Sequence, residues 1–202
     1  IIFYALKFIP INIFTILLMT TPFFLLIFAK VILKEKLNLI SWIAIFIGFF
    51  GVLLVLQPSS SNFNIYILLV LFVAISNALN FTLVSKYSHI ASSYGYTFYQ
   101  YAPLTIFSYI FFLNDPILPN FQEILIFASS GVLLMISMWA FNAAYHVAGK
   151  YSSIISPFIF TQIIWGSLYG IIFFSEKIST LSILGMLIII IAGTVAIYNR
   201  KK

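Results

Sequence analysis

The chain has no cysteine, and only four of its 202 residues are acidic. The first absence removes disulfide frameworks and thiolate metal sites. The second removes most carboxylate chemistry, because Glu35, Asp115, Glu123 and Glu176 all stand at the ends of apolar stretches. With no Asp or Glu in mid-stretch, a carboxylate proton relay inside a span is excluded from this part of the protein. His89 and His146 are far apart and lack carboxylate neighbours in the sequence. No nucleophile triad, metal-ligand cluster or glycine-rich phosphate loop is visible, so nothing points to an enzyme or a cofactor.

What is present is hydrocarbon. Apolar residues make up 63% of the chain and charged residues 7%, where soluble domains carry about 25% charge. A soluble chain of this composition could not cover its surface with polar groups. Apolar runs recur that are long enough to cross about 30 Å of hydrocarbon as helices. Period-2 alternation, the mark of a barrel, is missing. The class expected is therefore an all-α integral membrane protein. Spans are expected near 11–30, 38–56, 64–84, 94–113, 123–145, 151–174 and 180–199, after a helix tail at 1–8. The breaks have local causes: polar turn clusters at Gln57–Asn62 and Asn114–Pro116, and tight charged turns at Lys34–Lys36 and Gly149–Lys150.

The net charge of +6 sits at the span ends, which indicates topology control rather than nucleic-acid binding. Lys30, Lys34, Lys36, Lys86, Lys150, Arg200, Lys201 and Lys202 fall on one side, with only Lys7 and Lys177 on the other. The first side, with the C-terminus, is expected in the cytoplasm, in the inner membrane of a bacterium.

The chain also repeats itself. A shift of 141 positions carries Tyr4 to Tyr145, Thr20 to Thr161, Glu35 to Glu176 and Ser41 to Ser182. Five spans separate the copies, and an odd number inverts one relative to the other. Inverted repeats are the architecture of secondary transporters, with the substrate between the halves. The second copy has two spans and most of a third ahead of Tyr145. The first has almost nothing ahead of Tyr4, so roughly 80 preceding residues are expected in a complete protein.

Tyr4-Ala5-Leu6-Lys7-Phe8-Ile9-Pro10, Thr21-Pro22, Leu33-Lys34-Glu35-Lys36-Leu37, Trp42, Gly48 and Gly51 resemble the first EamA repeat of the drug/metabolite transporter superfamily. Ala144–Ala148, Ser153–Phe158, Trp165-Gly166 and Phe174–Lys177 are similar to the second. The stretch from Ala144 to Trp165 most resembles members described as S-adenosylmethionine uptake or amino-acid/amine transporters. Ala44 departs from the glycine usual there, and Gly193 is spaced one residue differently from Gly51. The resemblance implies ten helices with both termini inside. This chain would then run from the end of helix three to helix ten: seven full transmembrane helices plus the end of another. The repeats would divide at 1–57 and 58–202.

Polar residues within spans are the candidate site, because each is costly in lipid unless it faces protein or water. In 151–174, Phe158, Gln162, Trp165 and Tyr169 fall on one helical face that can stack and hydrogen-bond a solute, or simply pack helices. Trp139, Asn142 and His146 share a face of 123–145. There His146, near a wet helix end, could act as a proton switch. Ser76, Asn77 and Asn80 lie in 64–84, and Thr97, Gln100, Tyr101 and Ser108 in 94–113, where Pro103 can bend the helix. Thr20-Thr21 and Thr161-Gln162 are equivalent in the two copies. Glu35 and Glu176 are read as topological or paired, not catalytic. The expected substrate contacts are Trp165, Gln162, Asn142, Trp139, Tyr169, Thr21 and Asn80. The expected function is alternating-access transport of a small polar metabolite, with export, or a non-transporting truncated chain, as alternatives. Expected partners are the solute and membrane lipid, with no nucleic acid; a homodimer is compatible with the pattern.

Overall fold

In the computed structural model, the described residues are 7–9, 11–57, 65–114, 119–174 and 179–198. Tyr4, residues 58–64, Asp115, Glu176-Lys177 and the basic C-terminus, all used in the sequence reading, lie outside them. Among the described residues every regular element is helical: α1 (Ile11–Leu18), α2 (Thr21–Ile32), α3 (Leu39–Leu56), α4 (Tyr66–Lys86), α5 (Ser93–Asn114) and α6 (Phe121–Ala148), then 3-10 turns at Gly149–Ile154 and Ser156–Phe160, then α7 (Thr161–Phe174) and α8 (Thr180–Tyr198). The all-α membrane class stands. Ile13–Ile32, Leu39–Leu56, Tyr66–Lys86 and Phe121–Ile154 are each long and apolar enough to cross a bilayer. Ser156–Ile172 and Thr180–Val195 are apolar but shorter. Helix α5 has the length, but its tyrosines and Gln100 dilute its hydropathy.

Local chemistry sets the helix ends. Asn38 caps α3, its side chain accepting from Ile40 N at 3.2 Å, and Gln57 ends the helix in the left-handed region at φ 40. Asn120 and Glu123 form a capping box at the start of α6, with bonds of 2.8 and 2.9 Å. Gly149 ends α6 at φ +51, a conformation glycine adopts without steric cost.

Three boundaries differ from the sequence reading. Lys7 and Phe8 lie in a turn rather than a helix tail. The span expected at 11–30 breaks at Met19-Thr20, and the one expected at 151–174 is α-helical only from Thr161. Proline is the cause in both. Pro22 has no N–H for the carbonyl of Leu18, and the Thr21 hydroxyl donates to it instead at 2.7 Å. Pro157 has none for the carbonyl of Ser153, and the Ser156 hydroxyl donates to it at 2.8 Å. In the second copy Tyr151 also leaves helical geometry, at φ −115, ψ 39.

The chain forms two compact units, residues 1–83 with 150–202, and residues 84–149. The first unit is organised by α3 against α8, its most extensive helix contact. The two run antiparallel. Ser182 donates to Val55 O at 3.2 Å, Gly185 meets Gly51, and Ala192 lies by Gly48. Thus the last helices of the two copies point in opposite directions, as an inverted repeat requires. Phe160 is fully buried and fills the space that a side chain at Gly48 would occupy. Ile9, Phe14 and Val70 make a second small core, and Phe8 stacks on Tyr66 with ring centroids 4.1 Å apart. The second unit pairs α5 with α6.

Candidate functional site

In the first unit the helix breaks sit beside a cavity of about 480 Å³ lined by Ile11, Thr15, Met19, Leu56, Gln162, Ile163, Gly166 and Ser167. The breaks are chemically matched. Thr20 donates its hydroxyl to Leu17 O at 2.6 Å, and Thr161, its counterpart in the second copy, donates to Phe158 O at 2.7 Å. The accepting residues, like the donors, are 141 positions apart. Non-helical backbone at membrane depth is tolerated where it is buried in protein or lines a cavity.

Gln162 is among the residues lining this cavity. Thr21 is buried, but its hydroxyl proton is held by Leu18 O. Trp165 and Tyr169 share an exposed face with Phe158 and Gln162, the two rings being 60% and 57% exposed. Asn80 is half-buried on α4.

In the second unit α5 and α6 hold a buried polar cluster. Asn142 is 1% exposed, and its amide nitrogen donates to Thr97 Oγ1 at 3.0 Å and to Gln100 Oε1 at 2.8 Å. Trp139 stacks on Tyr94, with centroids 5.2 Å apart and planes 20° from parallel. His146 Nε2 lies 3.0 Å from Ala91 O. A carbonyl only accepts, so Nε2 carries the proton. Tyr145 is fully buried, and its carbonyl accepts from Ser85 Oγ at 2.9 Å. Asn142 and Trp139 stand three residues apart on α6. The sequence named Thr97 and Gln100 without linking them to Asn142. Their signal was present: two polar residues three apart share one face of α5.

One buried carboxylate was missed as an internal group. Glu35 is buried although it follows the end of α2, and it accepts from Ser153 Oγ at 2.5 Å and from Ser153 N at 3.3 Å. It is paired, as expected, but with backbone and a hydroxyl of the other copy.

Antiparallel terminal helices, two proline-broken spans and a cavity at the breaks that Thr15, Gln162 and Ser167 help to line define a multi-pass helical membrane protein of inverted-repeat type. Residues 1–57 match the EamA-like transporter family. The chain is 33% identical over 143 residues to a riboflavin transporter of Vibrio cholerae, covering 70% of this chain and 47% of the relative. It is 26% identical over 203 residues to an S-adenosylmethionine uptake transporter of Rickettsia prowazekii, covering 98% of this chain and 67% of the relative. It is 24% identical over 202 residues to a pseudopaline exporter of Pseudomonas aeruginosa, covering 99% of this chain and 70% of the relative. The matched region thus spans between about half and about two-thirds of these relatives' lengths.

Proposed function

We propose that the protein containing this chain is a secondary transporter of a small polar metabolite, working by alternating access between the repeats at 1–57 and 58–202. The observation that carries the reading is the matched break: Thr20 and Thr161 make the same hydrogen bond in both copies, beside a cavity that Gln162 lines. Discontinuous spans at a repeat interface are where transporters hold substrate, because freed backbone groups and polar side chains can face the solute there. Gln162 and Thr21 would act at the break of each copy, Trp165 and Tyr169 along the exposed face of α7, Asn80 on α4, and Asn142 with Trp139 between α5 and α6.

The solute is of the size and polarity of S-adenosylmethionine, an amino acid, an amine or a flavin, consistent with the names of the relatives. Both uptake and export occur among them, so direction is a matter for measurement. The membrane is the bacterial inner membrane, and the Lys and Arg bias orients the C-terminus to the cytoplasm. The test is transport by the intact protein in proteoliposomes, in both directions, with a panel of labelled metabolites. Saturable movement of one or a few of them is expected. None above protein-free vesicles would refute the reading.

A further inference from the structure

We propose that Asn142 and Trp139 form a two-point reader for a neutral donor–acceptor edge of the solute, the kind carried by a cyclic amide or imide. The proposal rests on the transport reading and adds the substrate class. The orientation of Asn142 is set by its neighbours. The single hydroxyl proton of Thr97 goes to Ser93 O at 2.9 Å. Towards Asn142, then, Thr97 Oγ1 can only accept, and the amide atom 3.0 Å away must be the nitrogen. The second amide proton goes to Gln100 Oε1 at 2.8 Å. Both donors of Asn142 are engaged and its side chain cannot flip without breaking two bonds. Its Oδ1 is left as a buried acceptor with no hydrogen-bond partner among the described residues.

Trp139 lies one turn earlier on the same face of α6. Trp139 Nε1, a donor only, is buried and likewise has no partner among the described residues. The indole is held by its stack on Tyr94. Buried polar atoms left unmet are costly, and native structures keep few of them. Here two of opposite polarity sit three residues apart on one helix, with orientations set by neighbours.

The groups holding the pair in place, Thr97, Gln100 and Tyr94, are all neutral. A carboxylate or ammonium brought here would lose water without gaining a counter-charge. A neutral ring N–H beside a carbonyl would donate to Asn142 Oδ1 and accept from Trp139 Nε1.

The test uses the full-length protein in proteoliposomes with two probes, riboflavin, whose ring carries an imide N–H, and its N3-methyl analogue. Wild-type protein is expected to take up the parent with a KM at least about tenfold lower than the methylated probe, since a site built for a hydrogen bond rejects an analogue lacking it. Asn142→Leu should bring that ratio towards one. Trp139→Phe, which keeps the ring stack, should raise the KM of both probes while leaving the ratio in place. A wild-type ratio near one would mean that the two atoms serve a water or helix packing, and would overturn the proposal without any variant having to fold. A ratio that persists in folded Asn142→Leu would overturn it too. Saturable uptake of S-adenosylmethionine with indifference to both flavins would overturn the reader and leave the transport reading standing. No saturable uptake of any metabolite would remove both.

Discussion

Gly51 and Gly185 pack face to face across α3 and α8, so closely that a Cβ on either would fall 2.8 or 2.6 Å from the carbonyl oxygen of the other. Small residues at such a crossing let helix backbones approach where lipid gives no hydrophobic drive to association. Ala192 on α8 lies beside Gly48, which continues the narrow seam towards the start of α3, where Ala44 is fully buried. The glycine missing at Ala44 is thus replaced by the next smallest residue at a close-packed position.

Widening that seam should separate the two halves of the first unit. Gly51→Val or Gly185→Val is expected to destabilise the protein by about 1–3 kcal/mol, the usual cost of overpacking a tight contact. Thermal unfolding of the full-length protein in detergent measures it. Gly131 lies inside α6 with no neighbour within reach of an added Cβ, and Gly131→Ala should not lower the midpoint. Equal effects at Gly51 and Gly131 would contradict the packing account.

The Glu35–Ser153 contact ties the turn of the first copy to the 3-10 segment of the second. Ser153→Ala removes one hydrogen bond to a buried carboxyl group and is expected to cost about 1.5–3 kcal/mol. Glu35→Gln keeps the shape and an acceptor, and should cost less than Glu35→Ala, which leaves Ser153 N–H unmet. If the three variants unfold alike with wild type, the contact has no energetic role.

Thr97→Val tests the polar cluster in the second unit. The change conserves volume but strands one amide proton of Asn142, at an expected cost of about 1–3 kcal/mol. Asn142→Leu combined with Thr97→Val should cost less than the sum of the two, since the pair shares one bond. Strict additivity in a double-mutant cycle would show that they do not interact.

Topology can be read directly, because this chain contains no cysteine. In an otherwise cysteine-free full-length protein, Lys34→Cys should resist an impermeant thiol reagent in intact cells, and Gln122→Cys should react. Both residues are exposed. Reaction at position 34 and protection at position 122 would reverse the orientation inferred from Lys and Arg.

What the sequence determined by itself is the part of the problem that composition and short range decide. Bilayer thickness and backbone hydrogen bonding turn long apolar runs into helices. Caps such as Asn38 and the Asn120–Glu123 box follow from residues two or three positions apart. The inverted copy was legible because both halves keep the same residues in the same order. Tertiary structure alone decided what depends on distant groups meeting. Ser153, which donates to Glu35, stands 118 positions away. Nothing local distinguishes a carboxylate in a solvated turn from one buried against Ser153. Likewise Asn142, Thr97 and Gln100 each read as a polar residue in a span. Only the packing of α5 on α6 fixed which amide atom is engaged and which is left to act, because a hydrogen bond is directional and the sequence carries no direction between segments.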